Sequence, residues 1–364
     1  MAEQKRYAYV PDFVSPPGDT ILELLEERGM TQSELAQRMG RPVKTINEIV
    51  HGKAMLTPET ALQLEKVLGT PARLWLELEH NYREHLARQA EGNALEAEQA
   101  WLRNFPIKEM QKRNWLPEEK DRSRLLFELL CFFGIASPGN WEDIWSKNLV
   151  NFRKAAAYES SDYALSVWLR MGEILAQDIN TAPFDKSLFT GLLNKEIRAL
   201  TRSESENLDE ELAALCARAG VAVVIVPQVR EARVSGAARW LTKDKALIQL
   251  SLRYKRDDQF WFSFYHEAGH IVQHGKRDIF VHLEDGERDG KEEDANRFAA
   301  EMLIPWREYD SFVRENERFS KETVCRFADD IGIAPGIVVG RLQYDRHLPY
   351  SHLNDLKIRY EWDE

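Results

Sequence analysis

Two histidines, His266 and His270, flank Glu267 in the segment HEAGH. On a helix, residues four apart share a face, with β-carbons roughly 6 Å from each other. Two imidazoles so placed can bind one zinc ion at about 2.0–2.1 Å. Glu267 falls on a neighbouring face. It is awkward there as a ligand but well placed to take a proton from a water beside the metal. The chemistry implied is hydrolysis, with the metal polarising a carbonyl and the carboxylate acting as general base and then general acid.

A catalytic zinc needs a third protein ligand and one open position. Four downstream residues offer themselves: His274, His282, Glu292 and Glu293. His274 lies about 12 Å of helical rise beyond His266, too far to share its metal. His282 sits in a strand-like or loop segment and stays open as a candidate. Glu292 and Glu293 begin the helical stretch EEDANRFAAEMLIP. Spacings of three and seven place Glu292 over Ala295 and Ala299, on the inward face. Glu293 points about 100° further round. Glu292 is therefore favoured, with Glu293 the fallback. Asp294 and Asn296 flank it as candidates to orient a histidine. Gly269, inside the HEAGH helix, costs about 1 kcal/mol against alanine. It predicts close approach of another backbone, which we expect to be the sheet. Tyr265, Arg341, His347 and His352 are polar candidates for oxyanion stabilisation, with nothing in the sequence to choose among them.

These residues need a frame. LDEELAALCARAG reads as a helix, VAVVIVPQV as a buried strand, and SGAARWL and KALIQLSL as further strands. In the last, Ala246, Ile248, Leu250 and Leu252 share one face. Helix, three strands, helix, acidic loop and helix make a small α+β domain. After it, SKETVCRFADDIGIAPGIVVGRL has helix–Gly332–helix spacing, but its second helix is too apolar to read bases. We read it as a helical lobe packing against the small domain, or as a partner-binding surface. From about 80 to 200 the chain is almost wholly helical and suggests no chemistry.

The first eighty residues differ. TQSELAQRMG opens with a capping box, Thr31 and Glu34, and stops at Gly40. RPVKTINEIVHG has Pro42 in its first turn and Gly52 past its end. Two short helices about a tight turn fit a helix-turn-helix. Ile46, Ile49 and Val50 would face the core. Val43, Lys44 and Asn47 would face outward, toward bases and phosphates. Gln32 is placed to touch a phosphate. From Arg38 to Lys53 four basic residues, including Arg41 and Lys44, stand against Glu48.

The whole chain has 364 residues and a net charge of −11, which argues against wholesale nucleic-acid binding but not against a small reading module. Length predicts two or three domains. Cys131, Cys216 and Cys325 form no CxxC pair, so neither a disulfide framework nor a cysteine zinc site is expected. The composition suits a reducing cytoplasm, with no leader or membrane span expected.

TQSELAQRMGRPVKTINEIVHGKAMLTPETALQLEKVLGTPARLWLELE resembles the Xre/Cro-type helix-turn-helix, in its HigA-like antitoxin branch. The resemblance implies a dimer on double-stranded operator DNA. GAARWLTKDKALIQLSLRYKRDDQFWFSFYHEAGHIVQHG, followed by EEDANRFAAEMLIP, resembles the ImmA/IrrE-type zinc metallopeptidases. That resemblance implies a zinc held by His266, His270 and Glu292, with Glu267 as base, and an Xre-type repressor as substrate class. The expected fold is mostly α with a small α+β zincin-like domain. The expected divisions are 1–80 helix-turn-helix, 81–190 helical connection, 191–310 peptidase and 311–364 helical lobe. The expected function is a DNA-binding regulator whose peptidase cuts a repressor, a toxin or its own chain in a stress, phage or toxin–antitoxin response. The alternative is a non-enzymatic antitoxin-like repressor using the peptidase fold as a sensor or toxin platform.

Overall fold

A computed structural model of the chain describes residues 14–146, 161–203, 205–251, 255–274, 280–283 and 290–360. Two compact units divide between Gln99 and Ala100. Among the described residues no helix is long and apolar enough to cross a membrane.

The first unit holds α1 (Pro17–Glu27), α2 (Gln32–Met39), α3 (Val43–Val50), α4 (Pro58–Leu68) and α5 (Ala72–Glu98). Thr31 Oγ1 accepts from the Glu34 amide at 3.1 Å, half of the expected capping box. The Glu34 carboxylate pairs with Arg38 at 2.6 Å. Gly40 ends α2 at φ 65°, a left-handed turn that glycine makes without strain. Ile21, Leu35, Leu64 and Trp75 form the core, and Ile46, Ile49 and Val50 join it as their spacing predicts. Arg83 of α5 donates to the carbonyls of Gly52 and Ala54, both at 3.1 Å, and fixes the turn that follows α3.

The second unit begins with helices: α6 (Ile107–Lys112), α7 (Arg122–Phe133), α8 (Pro138–Trp141), α9 (Asp162–Gln177), α10 (Lys186–Asn194), α11 (Glu196–Leu200) and α12 (Leu208–Arg218). Then come β1 (Val221–Val226), β2 (Val234–Thr242) and β3 (Lys245–Ser251), α13 (Asp257–Gln273), β4 (Phe280–Leu283) and α14 (Gly290–Leu303). Helices α15 (Trp306–Glu315), α16 (Lys321–Ile331) and α17 (Pro335–Tyr344) complete it. The sheet order is β1-β3-β2-β4. Strand β1 is parallel to β3, while β2 is antiparallel to β3 and β4. Three strands were expected; β4 is a fourth, too short for its alternation to be legible.

The sheet lies between two helices. Ala246, Ile248 and Leu250 pack with Phe264 and Ala268 of α13 in one core. Leu252, expected on the same face, lies outside the described residues. The other face carries Gln249 and Arg239 among the buried apolar residues Val224, Val226, Ala237 and Leu247, and is covered by α9, part of the helical stretch that gave no functional signal. Trp168 donates to the Val226 carbonyl at 3.1 Å, and Gln249 donates to the Trp168 carbonyl at 2.6 Å. Buried Arg239 pairs with Glu173 at 2.7 Å. Gly172 makes this approach possible, since a Cβ there would fall 1.9 Å from Gln249 Oε1.

Helix α17 is largely buried, as a packing lobe requires. A Cβ on Gly336 would lie 2.4 Å from Asp257 Oδ2, and one on Gly340 would lie 2.6 Å from Asp258 Oδ2. The two glycines therefore admit the acidic first turn of α13. Residues 357–360 close over the same place. Lys357 donates to Asp258 at 2.5 Å, the Asp257 amide donates to the Ile358 carbonyl at 3.0 Å, and Trp261 donates to the Tyr360 hydroxyl at 2.9 Å.

Burial, and next the neighbouring Asp258, push the Asp257 carboxyl up to about 7. The folded protein thus keeps a proton that the unfolded chain loses above about pH 4. Stability attributable to this group is present at low pH and lost as pH rises through about 7. Asp257→Asn is expected to flatten that decline in urea-unfolding free energies across the same window. An unchanged slope would contradict the assignment.

Candidate metal centre and nucleic-acid interface

Helix α13 carries His266, Glu267 and His270, all buried. Helix α14 brings Glu292 opposite them. His266 Nε2 lies 3.2 Å from Glu292 Oε2, and His270 Nε2 lies 3.2 Å from Glu292 Oε1. The two Nε2 atoms are 3.1 Å apart. Zinc ligands at about 2.0–2.1 Å in a tetrahedron lie about 3.3 Å from one another. The donor set and its spacing therefore fit one zinc ion.

Gly269 explains how two helices come this close. A Cβ there would fall 3.2 Å from Ala295 Cα and 3.1 Å from the Phe298 ring. The neighbouring backbone is α14, not the sheet that the sequence led us to expect. The reason is steric: α14 offers Ala295, a side chain small enough to face a glycine.

The other candidates sort themselves by position. Glu293 is exposed, one residue round from Glu292. His274 caps the end of α13 and meets the Lys291 carbonyl at 3.2 Å. His282 stands in β4 opposite Gly236, and its side chain lies outside the described residues. Asn296 Oδ1 lies 3.0 Å from His266 Nδ1, whereas Asp294 lies 3.8 Å from Arg297 at the surface. The Tyr265 hydroxyl donates to the Leu193 carbonyl at 2.8 Å. Arg341 pairs with Asp345 at 2.6 Å and lies over the Tyr309 ring. His352 meets Ser351 at 3.2 Å, and the exposed His347 sits beside the Tyr309 and Phe319 rings.

Glu267 is fully buried, and neither carboxyl oxygen has a hydrogen-bond partner among the described residues. Burial, and then the Glu292 carboxylate, raise it well above the ordinary carboxylate range. A buried carboxyl raised this way beside candidate metal ligands is a candidate for acid–base chemistry. Gly236 of β2 makes its room: a Cβ there would lie 2.6 Å from Glu267 Oε1. The sequence reading passed over Gly236. Its signal was available, because a glycine inside a strand marks close approach of another group.

In the first unit, Val43, Lys44 and Asn47 are exposed on α3. Asn47 Nδ2 donates to Gln32 Oε1 at 3.4 Å, so the two residues form one polar surface across the turn. Lys44 lies 3.8 Å from Glu48. Arg41 is half-buried and donates to Gln63 at 2.5 Å, and Lys53 is exposed past the end of α3.

Residues 21–75 match the helix-turn-helix family, and residues 216–343 match a peptidase family described as the IrrE N-terminal-like domain. The chain belongs to the helix-turn-helix regulators and carries an IrrE N-terminal-like domain. The uncharacterized HTH-type transcriptional regulator YddM of Escherichia coli is 39% identical over 64 residues, which cover 18% of this chain and 68% of that one. Antitoxin HigA-1 of Vibrio cholerae is 34% identical over 59 residues, 16% of this chain and 55% of that one. The solved structure of Pseudomonas aeruginosa antitoxin HigA with the higBA promoter is 26% identical, covers 24% of this chain and 95% of its own, and gives a TM-score of 0.22. The IrrE N-terminal-like match spans α13, α14 and the sheet, and so contains every residue of the candidate metal centre.

Purified protein is expected to hold about one zinc per chain. Zinc at a hundred times its dissociation constant should stabilise the fold by about 2.7 kcal/mol. His266→Ala and Glu292→Ala should each abolish both effects. Metal analysis and thermal melts with and without chelator check this, and full zinc retention by either variant would sink the ligand set.

Proposed function

We propose that the chain is a DNA-binding transcriptional regulator whose second unit is a zinc-dependent peptidase. The single observation that carries the reading is the meeting of His266, His270 and Glu292 beside a buried Glu267 with no hydrogen-bond partner among the described residues. His266, His270 and Glu292 would hold the zinc. When bound, zinc supplies Lewis acidity toward a scissile carbonyl and lowers the pKa of nearby water. Glu267 takes the proton from the attacking water and returns it to the leaving amine. Gly236 keeps space in front of its carboxyl. The dry surroundings of the two histidines strengthen each of these electrostatic contacts.

The substrate we propose is a regulatory protein: an Xre-type repressor, a toxin, or this chain itself near residues 80–110. Cleavage there would change gene expression in a stress, phage or toxin–antitoxin response, in the cytoplasm where operator DNA is found. The first unit would bind double-stranded operator DNA as a homodimer through Gln32, Arg41, Val43, Lys44, Asn47 and Lys53. The likeness to antitoxin HigA-1 favours a second reading, a non-enzymatic antitoxin-like repressor whose second unit serves as a sensor or toxin-binding platform.

One variant separates the two readings. Glu267→Gln should keep zinc and lose cleavage, read as fragments of the chain itself or of a co-incubated repressor or toxin. Undiminished cleavage by that variant would falsify the role given to Glu267. Absence of cleavage by zinc-loaded wild type on all three substrates would favour the platform.

The DNA reading has its own check. Lys44→Ala should weaken operator binding across all sequences and lower the salt slope by about one. Asn47→Ala should cost about 1–3 kcal/mol on the preferred operator alone. Neither should alter zinc content. Equal affinity of wild type and the double variant in a salt-titrated mobility shift would remove α3 from the interface.

A further inference from the structure

We propose that Asn296 is the positioning residue that fixes the tautomer of His266, and so presents its Nε2 as an open donor to the metal. The proposal rests on the zinc-site reading above and goes beyond it by assigning a residue outside the three ligands.

His266 is buried, so its ring nitrogens meet protein rather than bulk water. Asn296 Oδ1 lies 3.0 Å from Nδ1. An amide oxygen only accepts, so Nδ1 must donate and carry the proton. A neutral imidazole has one such proton, which leaves a lone pair on Nε2. That Nε2 faces the other two donors, 3.1 Å from His270 Nε2 and 3.2 Å from Glu292 Oε2. Were the amide turned over, Nδ2 would donate to Nδ1, and the proton would sit on Nε2 between the other donors. Such a ring could not ligate. The oxygen-inward amide is thus the orientation a metal site requires.

The placement follows from one helix. Asn296 stands four residues after Glu292, on the same face of α14. Ala295, beside it, is the residue that packs against Gly269. The same close approach therefore delivers a ligand to one nitrogen of His266 and a hydrogen-bond acceptor to the other. Asp294, the other flanking candidate, is exposed and turned toward Arg297. Partners of this kind commonly change metal affinity by about 10–100-fold.

The test uses the full chain with Asn296→Ala and Asn296→Asp. Zinc affinity is read by competition with a chromophoric chelator. The ring state of His266 is read in zinc-free protein by long-range nitrogen–proton NMR. Asn296→Ala should weaken zinc by about 10–100-fold and convert His266 from the Nδ1-protonated form to a mixture. Asn296→Asp, which keeps the acceptor, should restore both; failure of that rescue would show a packing role only. Wild-type affinity together with an unchanged tautomer in Asn296→Ala would overturn the proposal. If wild type itself takes up no zinc, the zinc reading fails instead, and the NMR result still decides whether Asn296 sets the tautomer.

Discussion

The close approach of α13 to α14 is the constraint on which the candidate metal centre depends. Ordinary helix pairs stand about 8–10 Å apart, according to the side chains between them. Here the contact is a glycine against an alanine, Gly269 on Ala295. With no bulk between the backbones, a carboxylate as short as that of Glu292 reaches two imidazoles at once. Four positions on one side of α14 then carry four duties: Glu292 as candidate ligand, Ala295 as contact, Asn296 as partner of His266 and Ala299 as core. A larger residue at Gly269 would separate the ligands without touching any of them.

The second constraint is electrostatic. Buried charge is costly unless it is paired, hydrogen-bonded or put to use. Several buried polar groups of the second unit have at least one partner. Arg239 meets Glu173, Lys357 meets Asp258, and Gln249 meets the Trp168 carbonyl. Glu267 stands apart because both of its carboxyl oxygens lack a hydrogen-bond partner among the described residues. Strand β2 serves both sides of this division. Gly236 leaves space on the α13 face, and Arg239, three residues on, anchors α9 to the opposite face.

Legibility in the sequence followed the range of the interactions. The helix-turn-helix was legible because its signals are local: Thr31 caps, Gly40 stops, and Ile46, Ile49 and Val50 repeat with helical spacing. That Glu292 faces inward and Glu293 outward was legible because one residue on a helix turns the side chain by about 100°. The helical stretch before the sheet was opaque for the complementary reason. An apolar stripe says that a helix packs, not on what. Helix α9 turned out to cover the sheet face opposite α13, through hydrogen bonds between residues 66 to 81 apart in the chain.

The sequence by itself determined the residue types that can ligate zinc, the faces they occupy on their helices, and the punctuation of the helices that present Val43, Lys44 and Asn47. These depend on the 3.6-residue period and on local capping, which a short segment carries unaided. Tertiary structure decided the rest. It chose α14 rather than the sheet as the neighbour of Gly269, gave Asn296 rather than Asp294 to His266, and set Gly236 in front of Glu267. It also closed Lys357 and Ile358 over Asp257 and Asp258. Each of these is a distance between segments far apart in the chain. Such distances are set by what two surfaces allow when they pack, and neither segment encodes them alone.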